Sequence, residues 1–271
     1  MIDSIPLGNH SLGIVKLPEA DTLMRFVTVT PGSSTYQEYR LTVNVWYGGS
    51  IIPDLAGHYP LDEGIGQTAC DAGGQSVDLA LQNDASGVGW STGRINGAYE
   101  FDGVDDYFDI ATSASELQLT GDYSASVWIY ADSDQAAWAT IFSKCAPAGG
   151  DHHWTLQWDN STGTSKRLTL SHPAGNNWRS SYTLAEARDA WHHVAVTYRS
   201  SPARVQLYVD GAFHSESSAL TAGPGTGSGR FRIGADGAGA AWKGRIDDVR
   251  IYRRVLTADD IQTLYSMGAA L

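Results

Sequence analysis

The chain is short of cysteine, of basic charge and of long apolar runs, and each shortage removes something. Its two cysteines, Cys70 and Cys145, are compatible with one disulfide closing a long loop, worth roughly 4 kcal/mol on the chain-entropy model. They are equally compatible with two unrelated buried thiols. Lys and Arg number 18 against 30 Asp and Glu, for a formal net charge of −12. No Lys/Arg cluster offers the basic face that displaces counterions from phosphates, so a nucleic-acid partner is excluded. The same charge disfavours adsorption to anionic membranes. No apolar run reaches the length of about 18 residues that a spanning helix needs, so no membrane insertion is expected. The first ten residues, MIDSIPLGNH, show neither the basic n-region nor the apolar h-region of a signal peptide. Neutral glycans, cation binding and plain solubility remain compatible with the acidic balance.

What is present is β-sheet chemistry. Hydrophobic residues make up 42% of the chain, enough for a real core, and 30 glycines with 9 prolines suit many short strands and turns. Nine Trp and 13 Tyr are β-formers and core filler first, flat binding surfaces second. The clearest element is AWHHVAVTYRSSPARVQLYVDG (190–211). Its runs His193 to Tyr198 and Val205 to Val209 flank a polar turn, Arg199 to Arg204. Val205, Leu207 and Val209 alternate with Gln206, Tyr208 and Asp210, the mark of a strand with one side in a core and one side wet. Asp210-Gly211 then supplies a tight hairpin turn, and the strands form a meander continuing through Phe213 to Ser217.

Residues 1 to 50 read differently. RFVTVT (25–30) and YRLTVNVW (39–46) are strand-like, too few for an independent core. This segment is either the tail of a preceding immunoglobulin-like module or a set of strands added to the main domain, and Gly48-Gly49-Ser50 reads as a linker. From residue 56 to the end the chain becomes a train of short strands. They are expected at 58–61, 77–81, 98–101, 107–110, 123–130, 139–142, 153–158, 167–171 and 179–183, then after the meander at 231–233 and 244–252. Such spacing predicts an all-β, two-sheet antiparallel sandwich. One short C-terminal helix is expected, capped by Thr257, with Asp259 and Asp260 in its first turn and Ile261, Leu264 and Tyr265 as its apolar stripe.

Four ordered segments carry more than a pattern: GHYPLDEGIG (57–66), GAYEFDGVDDYFDI (97–110), the 190–211 meander and GRIDDVRIYRRVLTADDIQTLY (244–265). Over residues 56–268 they resemble the laminin-G-like, concanavalin A-like jelly-roll family. The resemblance implies a sandwich of curved antiparallel sheets, commonly a module of a larger secreted or surface protein that binds glycans or protein partners, many with calcium. It implies an extracellular or cell-envelope setting. More distant relatives are glycoside hydrolases or polysaccharide lyases, and fold alone does not choose among these.

The residues themselves narrow the chemistry. Retaining hydrolysis needs two carboxylates about 5 Å apart on one face, and the E-x-D-x-x-E strand of laminarinase-like relatives is absent; Glu186 and Asp189 fall in a turn-like stretch. A lyase needs a His or Tyr base beside a cation, and His152, His153, Tyr182, Arg179 and Trp178 are the right types if they share a face. For calcium, six to eight oxygens are required. Asp71 and Asp78 lie in an Asp/Gly loop, Asp247 matches an aspartate that jelly-roll relatives use as a structural calcium ligand, and Asp62, Asp102 and Asp105 sit at nearby motifs. The alternative is aspartates that cap their own turns. For glycan binding, exposed aromatics flanked by polar groups are required. DHHWTLQWDN (151–160) and GNNWRSSY (175–182) supply the candidates Trp178, Arg179, His153, Trp158 and Tyr182, with Trp178 expected as the exposed ring. In the first of these segments Trp154, Leu156 and Trp158 share one face, with His153, Thr155 and Gln157 opposite. Trp128, Trp191 and Trp242 are assigned to structure. The expected activity is non-catalytic carbohydrate recognition, with a lyase or hydrolase, or an adhesive protein-binding spacer, as alternatives.

Overall fold

The computed structural model describes residues 54–269 except 76, 84–87, 111–116, 146–151, 174–175 and 226–228, together with the backbone of 2–7 and 10–15. The chain divides into two compact units, 1–53 and 54–271. In the first, β1 (Ile2–Leu7) pairs antiparallel with β2 (His10–Val15). The strands expected at 25–30 and 39–46 lie outside the described residues.

The second unit opens with β3 (Leu55–Tyr59), β4 (Thr68–Ala69), β5 (Leu79–Gln82), β6 (Trp90–Ile95), β7 (Gly97–Asp102) and β8 (Tyr107–Asp109). Long strands follow: β9 (Tyr123–Ala131), β10 (Thr140–Cys145) and β11 (His152–Trp158). Then come β12 (Arg167–Ser171), β13 (Asn177–Thr183), a single turn of helix α1 (Leu184–Ala187), β14 (Trp191–Ser200) and β15 (Ala203–Val209). The chain ends with β16 (Ala212–Glu216), β17 (Arg230–Ile233), β18 (Lys243–Tyr252) and α2 (Ala258–Ala269). These form two eight-stranded antiparallel sheets. One runs β13-β12-β11-β10-β17-β8-β5-β4; the other runs β16-β15-β14-β9-β18-β7-β6, with β3 also paired to β18.

The core lies between the sheets. Tyr123, Ala125, Val127 and Ile129 of β9 and Val194 and Val196 of β14 enter it from one side, Trp154, Leu156 and Trp158 of β11 from the other. Burial of alternating apolar side chains, at about 25 cal/mol per Å² removed from water, drives this arrangement. In the meander β14 and β15 stay paired as far as Ser200↔Ala203. The turn is therefore shorter than the polar composition of 199–204 suggests, because polar side chains on the wet face do not end a strand. Asp210 and Gly211 take the expected positive φ, 50° and 78°.

The opposite face of β9 is not wet. Helix α2 lies over it, stacking Tyr265 on Trp128 at 5.7 Å, and Gly268 approaches so closely that any Cβ there meets the indole. The Thr257 hydroxyl accepts the Asp260 N–H at 3.1 Å, so the helix begins where its cap is expected. Cys70 is exposed and Cys145 buried, and both are free thiols.

Candidate functional site

The sheet containing β10 to β13 has one apolar and one polar surface. Register alone sets up the polar one. Arg179, Thr169, Gln157 and Thr140 lie side by side across β13, β12, β11 and β10. A second row places Asn177, Ser171, Thr155 and Ser143 beside Arg232 and Asp109 of β17 and β8. The rows are tied together: Gln157 Nε2 donates to Ser171 Oγ at 3.0 Å, and Thr140 Oγ1 lies 3.3 Å from Gln157 Oε1. Such a pre-bonded ladder holds its amide and hydroxyls in fixed orientations.

A β-bulge changes which histidine joins this surface. Lys144 pairs with Trp154 but Cys145 pairs with His152, leaving His153 as the extra residue. His152 therefore turns onto the polar face, its Nδ1 3.1 Å from Thr155 Oγ1. His153 is buried beneath Gly225 and Gly229, where a Cβ on either glycine collides with its ring. His153, expected as a ligand contact, is thus buried, and the histidine that lines the polar face is His152.

Two loops raise a wall beside the ladder. In residues 235–240, the Ala235 carbonyl accepts from Ser143 Oγ at 2.9 Å and the Gly237 N–H donates to Cys145 Sγ at 3.1 Å, so this loop stands over β10. Asp236 Oδ1 accepts from Ala238 N and Ala240 N at 2.8 and 3.0 Å and fixes the loop's shape. Next to it Trp138, partly exposed, holds a left-handed φ of 61°, an unfavourable conformation for a bulky residue and one that flags a functional position. Between wall and sheet lies a groove of about 540 Å3 lined by Trp138, His152, Gln157, Ser171, Asn177 and Asp236. Among the described residues Asp236 is its one acidic lining residue.

Of the five expected glycan contacts, only Arg179 lies exposed on this face, its guanidinium Nε 3.5 Å from Asp159 Oδ2. Trp178, the expected exposed ring, instead packs against the core, and Trp158 and Tyr182 are buried in it. The reason is parity: Trp178, Ser180 and Tyr182 alternate with Asn177, Arg179 and Ser181, and the aromatics take the apolar side. Of the set expected for a lyase, His152 and Arg179 lie on the polar face, whereas His153, Tyr182 and Trp178 do not. Sequence reasoning missed Trp138 and Asp236, which lie in AAW and ADG stretches without periodicity; the only signal was the Asp236-Gly237 turn just after β17.

The candidate calcium ligands fall in three places. Asp71 accepts four backbone N–H groups, from His58, Gly73, Gln75 and Val77 at 2.8 to 3.4 Å, while Asp78 accepts from Asp71 N at 2.8 Å. Asp102 Oδ1 accepts Val104 N at 2.7 Å, and its own N–H reaches the Asp106 carboxyl. Asp62 and Asp247 flank the turn between β6 and β7. Asp62 accepts Gly97 N at 2.7 Å and Asn96 Nδ2 at 3.2 Å, and Asp247 Oδ2 accepts Arg94 N and Ile95 N, each at 2.7 Å. Among the described residues no three His, Cys, Asp or Glu side chains converge as a metal site. The one carboxylate oxygen of this set that is buried without a partner is Asp247 Oδ1, and burial with Asp248 and Asp62 nearby pushes that carboxyl up to about 8.

The sequence comparison with curated proteins finds no match. Among solved structures, domain 4 of AbnA, a GH43 extracellular arabinanase from Geobacillus stearothermophilus in complex with arabinotriose, has a TM-score of 0.61 at 18% identity, covering 78% of this chain and 98% of that one. The binding domain of Paraclostridial Mosquitocidal Protein 1 gives 0.60 at 14%, covering 78% of this chain and 52% of that one. The Botulinum neurotoxin serotype G binding domain gives 0.57 at 13%, covering 80% and 52%. The chain matches about half the length of the two toxin structures, and at these identities the likeness is one of fold. A family model described as the concanavalin A-like lectin/glucanases superfamily, Laminin G type, matches residues 102–262. With more than half its length matched, and with the two-sheet sandwich in place, the chain belongs to the concanavalin A-like lectin/glucanase superfamily.

Proposed function

We propose that the chain is a non-catalytic carbohydrate-binding module of an extracellular or cell-envelope protein, with the groove between Trp138 and β13 as its site. The observation that carries this is Trp138, partly exposed and lining the groove beside a ladder of pre-oriented hydroxyl and amide groups. Sugar C–H faces stack on a ring while hydroxyls seek fixed donors and acceptors, and this groove offers both. Its volume lies within the range that buries a small ligand. Glycosidic hydrolysis uses a pair of carboxylates across the scissile bond; among the described residues the lining supplies Asp236 alone, which supports binding over catalysis. The arabinotriose complex of the arabinanase domain adds weight to a glycan partner over a protein one.

Calcium belongs to this reading at one place only. Asp247 Oδ1, with Asp62 across the same turn, is the oxygen a cation would take, and there it would pin the β6–β7 turn and do no chemistry.

The test is a glycan-array screen followed by calorimetric titration of the best ligand into wild type and Trp138→Ala. Specific binding that falls at least tenfold in the variant, with an unchanged melting temperature, is the expected result. Silence across the array, or equal affinity in both proteins, refutes the assignment.

A further inference from the structure

We infer that the groove accepts the end of a glycan chain and excludes a stretch from its interior. The inference rests on the carbohydrate reading above and comes from how the groove is closed. The transverse row of polar side chains does not stop at β10; it continues through Arg232 to Asp109. A chain lying across the strands would follow that row from one sheet edge toward the other. It cannot, because the 235–240 loop stands on β10. The Ser143 hydroxyl is bonded to the Ala235 carbonyl and the Cys145 sulfur to Gly237 N. Beyond the loop the row is already engaged: Asp109 Oδ2 is held by Arg230 at 3.0 Å and Arg232 at 3.4 Å.

The other end is open. β13 is the last strand of its sheet, and Asn177, Arg179 and Ser181 on its polar side are exposed. A groove open at β13 and blind at β10 admits a chain lengthwise from one direction only, so the first residues in must be terminal. At the blind end sits Asp236. Its Oδ1 accepts from Ala238 N and Ala240 N, and the residue lines the groove, so Oδ2 is the oxygen left over for a ligand hydroxyl. A carboxylate oxygen accepts from hydroxyls more strongly than a neutral acceptor does, and a chain terminus carries the hydroxyl that an internal residue has lost to a glycosidic bond. The ligand class is thus a neutral oligosaccharide terminus bearing a free hydroxyl toward Asp236.

The experiment takes the tightest binder from a panel of linear neutral arabino-, xylo-, gluco-, galacto- and manno-oligosaccharides and its parent polymer. Polymer is partially hydrolysed to chains about tenfold shorter, and the protein bound per gram of sugar is measured at saturation. End recognition predicts roughly a tenfold rise in sites per gram, and loss of affinity when one chosen terminus of the oligosaccharide is chemically capped while capping the other is harmless. Sites per gram that stay constant, or affinity that survives capping of either end, overturn the inference while leaving the carbohydrate assignment intact. No binding to any member overturns both. Asp236→Asn keeps an oxygen for Ala238 and Ala240 and replaces only the other carboxylate oxygen; it is expected to weaken the oligosaccharide at least tenfold with an unchanged melting temperature, and unchanged affinity counts against the blind-end contact.

Discussion

Gln157 and Ser171, on adjacent strands β11 and β12, are joined by a 3.0 Å hydrogen bond from the amide nitrogen to the hydroxyl, and both line the groove. Gln157 Oε1 is engaged by Thr140 on the other side, so the amide cannot rotate. Gln157→Leu is expected to weaken glycan binding about tenfold and to lower stability by about 1–3 kcal/mol, since Thr140 keeps its bond to the Trp138 carbonyl while the buried Ser171 hydroxyl loses the amide. Titration calorimetry beside urea melts separates the two effects; full affinity in the variant would show that the ladder is scaffolding only.

Trp138 occupies a left-handed backbone conformation that glycine adopts without steric penalty. Trp138→Gly and Trp138→Ala should both lose glycan affinity. The glycine variant should be the more stable of the two by about 0.5–1 kcal/mol, the reverse of the order on a strand or helix. Denaturant midpoints of the pair decide it.

Trp158 is fully buried and Trp178 packs against the same core. Trp158→Ala is expected to cost about 3–5 kcal/mol of stability through the cavity it leaves. Trp178→Ala should cost less, and any affinity change in it should track loss of folded protein. A selective loss of binding at full stability would return Trp178 to the site.

Stability should fall as pH drops through the range between 6.5 and 4. Burial lowers His172 to about 4 and His193 to about 4, against 6.5 for a free imidazole. In that window the unfolded chain binds protons that the folded chain refuses, so each histidine contributes stability that is complete above pH 6.5 and lost toward pH 4. At about 1.4 kcal/mol per unit, the contribution is on the order of 3 kcal/mol each. Urea melts at pH 7.5, 6 and 5 on wild type and His172→Gln test this. Equal pH dependence in the two proteins would mean that His172 is not a source.

Calcium should raise the melting temperature if it takes Asp247 Oδ1, because a ligand specific to the folded state stabilises by mass action. The rise should vanish with chelator and in Asp247→Asn. A melting temperature indifferent to calcium in wild type removes the ion from this turn.

The sequence by itself determined the sandwich. Strict alternation in β15, the Asp210-Gly211 turn and the Thr257 cap are local signals, readable without neighbours because a two-residue period and a cap depend only on adjacent residues. It determined too that Trp154 and Trp158 share a face. What it left open was which faces meet water, and only the tertiary structure decided that. Trp128 is buried because α2 folds back over a surface that alternation marks as wet. Trp178 is inward because its register with Leu170 sets its parity. His152 replaces His153 because one bulge shifts the strand by a residue. The groove itself arises where loops 136–138 and 235–240, far apart in the chain and without periodicity, come together on β10. No window of neighbouring residues contains that contact, so the site was legible only after the chain had folded.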